Sequence, residues 1–479
     1  MMSRKKRIIF SLKNDFLREL LVIKKLVEQG NFEVDVCIFL QRYYNELKIM
    51  ISDHCIPIKN LYNFVSFSKN ISKSCVNINI YEELCRIELE LNVSIMDLIA
   101  ADKGLIGLSF EDKINRIYKA YLFLNKIKVK NYDYSIQELS SSADILMYKI
   151  LEKNKKKPIV FWHGRFNNRI EFTNITGERI GMRKLYEHYK NRDYYTDIEE
   201  KLYHKIVSEI AIPDYMTFAT KYTPLKDIFS SIKWDLNKYK SYLIDKRYAI
   251  DSNKTIKDKF NKIYKLLYRW RLKNITDQLS DIKLKEYVVF PEQYTPEAST
   301  ATYSIVYSNQ LSVIETIRRN LPFRYSLVVK LHPSMDMNRS LDFINRINKM
   351  DHVYITRHNR IELLRNSSAI ITLTSTMGWE GILLDKLTYV IGNVFYRDYD
   401  YITILKDFGE LRKISVNINN WEKTIKSAEY KKNKKAFVLS SYLSLKKGNM
   451  NSNKDPQTTT EENITNLVNS ILEYMSQCY

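Results

Sequence analysis

The stretch from Tyr325 to Glu380 constrains the fold more than any other part of the chain. Its apolar runs, Tyr325 to Leu331, His352 to Thr356 and Ala369 to Leu373, alternate with segments of helical period. Short apolar runs separated by helices specify a parallel sheet buried on both faces, in an α/β unit. Ligands of such sheets sit beyond the carboxyl ends of the strands. Two polar clusters fall at those ends. His332-Pro333-Ser334 follows the first run, and Thr374-Ser375-Thr376 follows the third, where it also opens a helix. Taken singly, a Ser/Thr cluster ahead of a helix is an ordinary N-cap, and a lone histidine is ordinarily structural. Taken together, hydroxyls, backbone N–H groups and the positive end of a helix dipole at strand ends of one sheet make an anion site suited to a phosphate. The stretch is expected to bind a nucleotide.

Length sets the scale around it. A chain of 479 residues accommodates two or three domains, and a hydrophobic fraction of 45% fills packed cores. Five cysteines, Cys37, Cys55, Cys75, Cys85 and Cys478, form no CxxC pair and have no histidine at metal-ligand spacing, so neither a disulfide framework nor a structural zinc site is indicated. The amino terminus leads into a short apolar run at Ile8 to Phe10 that Lys13 and Asn14 interrupt, too short for a signal peptide, and no segment reaches transmembrane length. A cytoplasmic location, at the inner face of the cell membrane or free of it, is the expectation. The formal charge of +21 is spread rather than blocked. It suits peripheral contact with an anionic membrane. Nucleic acid is not an expected partner.

Taken in order, Arg7 to Leu12 reads as a strand, Asp15 to Glu28 as a helix and Glu33 to Leu40 as a second strand. Their first loop lacks the glycines of a dinucleotide fingerprint, so this half is not the obvious nucleotide side. Tyr81 to Lys128 is helical in period. Tyr132 to Leu139 reads as a strand ending on Glu138, and Pro158 to Trp162 as one ending on His163-Gly164-Arg165. Glu178 to Lys285 is charged, aromatic and helical. Glu286 to Phe290 restarts the parallel sheet and opens a two-proline loop, Pro291 to Thr300, whose rigidity suits ligand contact. Lys431 to Asp455 is Lys, Ser and Asn rich and is expected to be mobile, ahead of a final amphipathic helix from Glu461 to Met475. The expected organisation is an amino-terminal α/β domain over 1–177, a helical insertion or connection over 178–285, a second α/β domain over 286–435, and a mobile segment with a terminal helix over 436–479.

The run Phe290 to Thr300, then Lys330-Leu331-His332-Pro333, then Thr374 to Gly381 with Lys386, Gly392 and Phe395-Tyr396, resembles the bacterial capsule polysaccharide biosynthesis family, which includes Kdo transferases. Weaker echoes lie at Leu98 to Gly107, Glu138 to Ser142 and Trp162 to Arg169. The resemblance implies a GT-B glycosyltransferase. Its two Rossmann-like domains would face a cleft, with the acceptor site in the first and the nucleotide-sugar site in the second. The His-Pro with a later Ser-Thr is also similar to GT-B transferases of CMP-activated sugars. By that likeness His332 contacts the nucleotide, Ser375 and Thr376 bind its phosphate, and Glu380 reaches ribose hydroxyls. Gln293, Glu297, Thr300 and Lys330 complete the donor-binding set, Glu297 either orienting substrate or holding its loop. The acidic pair and glycine that serve as base motif in the sialyltransferases among these CMP-sugar enzymes have no clear copy here.

Glycosyl transfer needs neutralisation of the leaving phosphate and deprotonation of the acceptor hydroxyl. The Ser375/Thr376 helix start supplies the first without a metal, and no cofactor is called for. Asp398-Tyr399-Asp400 has the spacing of a metal motif but falls in a loop after a strand, where solvation explains it. For the base or nucleophile Glu138 ranks first, since it is acidic and closes a strand, with Asp102, His163 and Glu171 behind it. The expected function is transfer of a sugar from a nucleotide sugar, CMP-linked by preference, to a saccharide or glycolipid acceptor of a surface polysaccharide. A nucleotide-sugar epimerase, a polyol-phosphate transferase and an inactive GT-B scaffold are the alternatives.

Overall fold

A computed structural model of the protein describes residues 4–13, 16–39, 43–71, 79–105, 107–210, 286–294, 307, 309–335, 339, 341–451 and 455–477. They fall into two compact units. The first takes the described residues up to Ile175 and those from Leu445 onward; the second takes those from Thr176 to Ser444.

The first unit is built on β1 (Lys6–Leu12), β2 (Phe32–Ile38), β3 (Leu61–Asn63), β4 (Tyr134–Gln137), β5 (Lys157–His163) and β6 (Arg169–Thr173). The order β3-β2-β1-β4-β5 is parallel throughout. β6 adds to it antiparallel, and the short strand Lys446–Lys447 adds antiparallel to β6. β1 lies at the centre of the five parallel strands, and Ile8, Ile9 and Phe10 are buried on both of its faces, which is what a continuous apolar run dictates in a covered parallel sheet. Chain order reverses between β1 and β4, the topological switch point where such sheets bind ligands. The helix Phe16–Glu28 buries Phe16, Leu20 and Ile23, and the terminal helix Glu461–Gln477 packs against it through Ile464, Leu467, Val468 and Ile471. The two stripes follow the three- and four-residue steps of an apolar helix face.

The second unit carries β7 (Tyr287–Pro291), β8 (Ser326–Lys330), β9 (Val353–Thr356), β10 (Ala369–Thr372), β11 (Leu387–Val390) and β12 (Ile402–Ile404). All pair in parallel, in the order β12-β11-β10-β7-β8-β9. The switch point falls between β7 and β10. Val288, Phe290, Val329 and Ile371 sit in one buried cluster, with Val289, Val328 and Ile370 in the cluster on the other face. The expected α/β class with two Rossmann-like units is thus the observed one.

Other expectations are corrected. Lys431 to Asp455 was expected to be mobile, yet Ala428–Leu443 is a helix whose Tyr430, Phe437, Val438 and Leu439 are buried. The lysine run is mostly its outer face. Lys431 and Lys432 are exposed, Lys435 pairs with Glu200 at 2.6 Å, and the buried Lys434 meets Asp385 at 2.6 Å and donates to the Leu383 carbonyl at 2.9 Å. Residues beyond it complete the first unit's sheet and core. Of the helical region over 178–285, Met182–Lys190 and Asp197–Ser208 are helices, and 211–285 lies outside the described residues. The strands missed from sequence have five residues or fewer and lie at or next to a sheet edge: β3, β6, β12 and Lys446–Lys447.

Candidate functional site

In the second unit the carboxyl ends of β7, β8 and β10 gather most of the expected donor-binding residues. Gln293, just past β7, is buried and fixed on several sides. Its N–H donates to Gln310 Oε1 at 2.7 Å, its Nε2 donates to the Pro291 carbonyl at 2.9 Å, and its Oε1 accepts from Thr374 Oγ1 at 3.2 Å. That last bond joins the ends of β7 and β10 across the switch point. Ser375 is the N-cap of the helix Thr376–Leu383, and its hydroxyl accepts from the Met377 N–H at 3.2 Å. No acidic residue lies in the first turn of that helix, so its positive end is unopposed locally. The Ser375 N–H donates to Thr372 Oγ1 at 3.0 Å and its carbonyl accepts from the Tyr396 hydroxyl at 2.5 Å. Tyr396 fits because Gly378 has no side chain: a Cβ there would stand 2.2 Å from its oxygen.

His332 follows β8, and its backbone N–H donates to Glu292 Oε2 at 2.8 Å. Glu292 also takes Arg339, both side chains being almost wholly buried, and Arg339 reaches the His332 carbonyl at 3.1 Å. The sequence signals neither Arg339 nor a role for Glu292, because the two meet only through the fold. Lys330 Nζ donates to the Arg357 carbonyl at 3.2 Å. Glu380 is 1% exposed, and Arg360 Nε stands 2.8 and 2.9 Å from its two oxygens. Its carboxylate lies one turn inside the helix. Glu297 and Thr300 lie outside the described residues. Asp400 pairs with Lys190 at 2.5 Å, and burial, its largest cause, raises the Asp398 carboxyl above the usual aspartate range.

In the first unit a cavity of about 310 Å³ opens beyond the carboxyl ends of β1, β4 and β5, lined among others by Ser11, Lys13, Gln137, Glu138, Trp162 and His163. This is the switch-point position. Glu138 and His163 are therefore brought together. Asp102 is not among the residues lining the cavity. It is buried, and its carboxylate accepts from the Ser142 N–H at 3.0 Å, the Ser142 hydroxyl at 2.6 Å and the Gly104 N–H at 2.8 Å, clamping the start of the helix Ser142–Lys153. Glu171 lies within β6 and does not line the cavity. Lys13, at the end of β1, donates to the fully buried Asp144, to Ser140 and to the Glu138 carbonyl; Ser11 Oγ donates to Asp144 Oδ1 at 2.9 Å. The place where a glycine turn would admit a phosphate is thus filled by an internal ion pair. Arg18 enters the lining from the helix Phe16–Glu28, held by Glu19 at 2.5 Å and by the Asn451 carbonyl at 2.8 Å. Burial, and the Arg18 charge after it, push the His163 imidazole down to about 4, so it is neutral at physiological pH. Lys13 could have been found by applying the strand-end rule to β1; Arg18 and Asn451 come together only through the returning C-terminus.

Residues 213–400 match the sequence model of the family described as "Capsule polysaccharide biosynthesis protein", the family that the motif residues resemble. The matched stretch contains β7 to β11 and both polar clusters. No curated protein matches the chain. Among solved structures, the chain is similar to the beta Kdo 2,7 transferase of Thermosulfurimonas dismutans KpsC at 13% identity and a TM-score of 0.37, over 76% of this chain and 97% of that one. The beta Kdo 2,4 transferase of the same protein gives 12% identity and a TM-score of 0.36, over 71% and 87%. UDP-GlcNAc 2-epimerase from Neisseria meningitidis, bound to UDP-GlcNAc, gives 11% and 0.24, over 92% and 99%. It is the family match that bears on function. No described helix is long and apolar enough to cross a membrane.

Proposed function

We propose that this chain, a member of the capsule polysaccharide biosynthesis family through residues 213–400, is a glycosyltransferase that uses a nucleotide-activated sugar, CMP-linked by preference, to extend a surface polysaccharide or glycolipid. The observation that carries the reading is the switch point of the second unit, inside the matched stretch. There Gln293 and Thr374 join two strand ends beside the Ser375-capped helix, whose first turn carries no acid. That end suits the diphosphate or phosphate of a donor. Ser375 and Thr376 take the phosphate, His332 and Lys330, at the end of β8 with β7 between, serve the nucleotide, and Gln293, with Glu297 and Thr300 by the motif resemblance, completes the donor-binding set. Glu380, paired with Arg360, would reach ribose hydroxyls. In the first unit Glu138 serves as base toward the acceptor, with His163 beside it. The reaction so drawn needs no cofactor, and anionic membrane is a compatible docking surface.

Thermal-shift binding of CMP, CDP, UDP and GDP to wild type, Ser375→Ala and His332→Ala tests this. Stabilisation by one nucleotide, reduced in both variants, is expected, because a ligand that binds only the native state raises stability with its occupancy. Lack of stabilisation by all four overturns the reading in favour of a non-enzymatic scaffold.

A further inference from the structure

We propose that the cavity of the first unit receives one uncharged, hydroxyl-rich ring, a neutral sugar rather than an acidic one, and that the returning segment Met450–Asn451 forms a wall of this site. The inference rests on the glycosyltransferase reading and names the acceptor class for it. At about 310 Å³, the cavity is at the lower end of the ~300–1,000 Å³ of small-molecule sites, which suits one ring rather than a long chain segment.

The charges around the cavity decide the class. An ammonium has three donors, and Lys13 directs its own to Asp144, Ser140 and the Glu138 carbonyl. Arg18 is engaged by Glu19 and by the Asn451 carbonyl. His163 adds no positive charge at neutral pH, while Glu19 and Glu138 place two carboxylates on the lining. An acidic sugar would bring its charge to cations that already have partners and to side chains of its own sign. A neutral sugar meets no such cost.

The lining also asks for a donor. Gln137 is 3% exposed and its Oε1 has no hydrogen-bond partner among the described residues. Its amide orientation is fixed, because Nε2 donates to the Asp144 carbonyl at 3.1 Å. A buried acceptor left unmatched is destabilising. A sugar hydroxyl answers it. Trp162, also on the lining, offers aromatic area for the C–H face of a ring.

The wall is built by asparagines. Asn449 N–H donates to Asn463 Oδ1 at 2.6 Å, Asn463 Nδ2 returns a bond to the Asn449 carbonyl at 2.9 Å, and Asn449 Nδ2 reaches Asp455 at 2.9 Å. This clasp holds Met450 and Asn451 on the cavity and Asn451 on Arg18.

Saturation-transfer NMR and calorimetry on the full chain, with methyl glucoside, methyl galactoside and glucuronic acid as probes, test the proposal on wild type, Trp162→Ala and Gln137→Leu. The neutral glycosides are expected to bind wild type at least tenfold more tightly than glucuronic acid, and to lose at least tenfold in either variant. Glucuronic acid binding as tightly, no binding of any probe, or neutral binding unchanged in both variants would overturn it. Should Trp162→Ala not fold, Trp162→Phe takes its place, with a smaller loss expected. Nucleotide thermal shifts on the same samples separate the two readings: if sugars fail while a nucleotide binds, only this inference falls.

Discussion

The Tyr396 hydroxyl donates to the Ser375 carbonyl from the space above Gly378, so the N-cap of the helix Thr376–Leu383 is held from outside by a ring that needs a glycine beneath it. A Cβ at 378 would stand 2.2 Å from the Tyr396 oxygen and 2.7 Å from Cζ, and 3.0 Å from Thr372 Cγ2. The buried ring cannot yield without leaving Ser375. Gly378→Ala is expected to cost about 1–3 kcal/mol as overpacking and to weaken nucleotide binding. Tyr396→Phe removes only the hydrogen bond, about 1 kcal/mol. Melting temperature and nucleotide affinity of both variants decide; a neutral Gly378→Ala would dismiss this account of the cap.

Glu292 and Arg339 form an ion pair of which almost nothing is exposed. Removing one partner of such a pair leaves a buried charge, typically at about 3–5 kcal/mol. Arg339→Leu is expected to show that loss in urea unfolding, and to weaken nucleotide binding as well, since Glu292 also takes the His332 N–H. Glu292→Gln paired with Arg339→Leu should recover part of the stability, because the unpaired charge is gone. A double variant no better than Arg339→Leu would count against the pairing as the cause.

The central strands were legible because a strand buried on both faces must be an apolar run, as in Tyr287–Pro291 and Ala369–Thr372, and strand ends could then be searched for polar groups. Ser375, Thr374 and Gln293 emerged that way. Edge strands such as Leu61–Asn63 and Ile402–Ile404 are only partly buried, so they carry no such run. Arg339 and Arg360 were hidden for another reason: each meets its carboxylate only through the tertiary fold, at sequence separations of 47 and 20. The lysines of Ala428–Leu443 misled because composition records charge but not the helix face it lies on.

The neutral imidazole of His163 makes a pH prediction. Its folded value of about 4 lies below the ordinary 6.5. Between those values the unfolded chain binds more protons than the native one, so stability falls as pH drops from 6.5 toward 4, by up to ~1.4 kcal/mol per pH unit. Above 6.5 the group contributes no slope. His163→Gln should flatten this limb, read as the difference between wild-type and variant melting temperatures from pH 7.5 to 4.5. Carboxylates such as Glu199, held down to about 2, act in both proteins and cancel. Parallel curves would place the imidazole in water.

Glu138 leads the search for the base because it lines the cavity at the end of β4 beside His163. Glu138→Gln keeps the shape and removes the base, so transfer is expected to fall by about 10²–10⁴-fold, the usual share of general-base catalysis. Nucleotide affinity, which the proposed function assigns to the second unit, should stay nearly unchanged. Activity within a few fold of wild type would remove Glu138 from the role and move it to His163.

The C-terminal return makes the last test. Gly448 has φ of +154°, and a Cβ there would stand 2.5 Å from Leu467 Cδ2, so the turn into the cavity wall and the terminal helix compete for one space. Leu467 is 1% exposed in the first unit's core, and Leu467→Ala is expected to cost about 2–5 kcal/mol. Gly448→Ala should be costly in wild type, from the clash and from a backbone angle that side chains resist. In the Leu467→Ala background that clash is gone, and the 3.3 Å approach to Ile170 Cγ2 and the backbone cost remain. The double variant should therefore lose less than the sum of the two single losses, a coupling that urea unfolding of the single and double variants measures directly. Strict additivity would mean that the return segment moves aside freely, and the cavity wall it forms would then be a loose one.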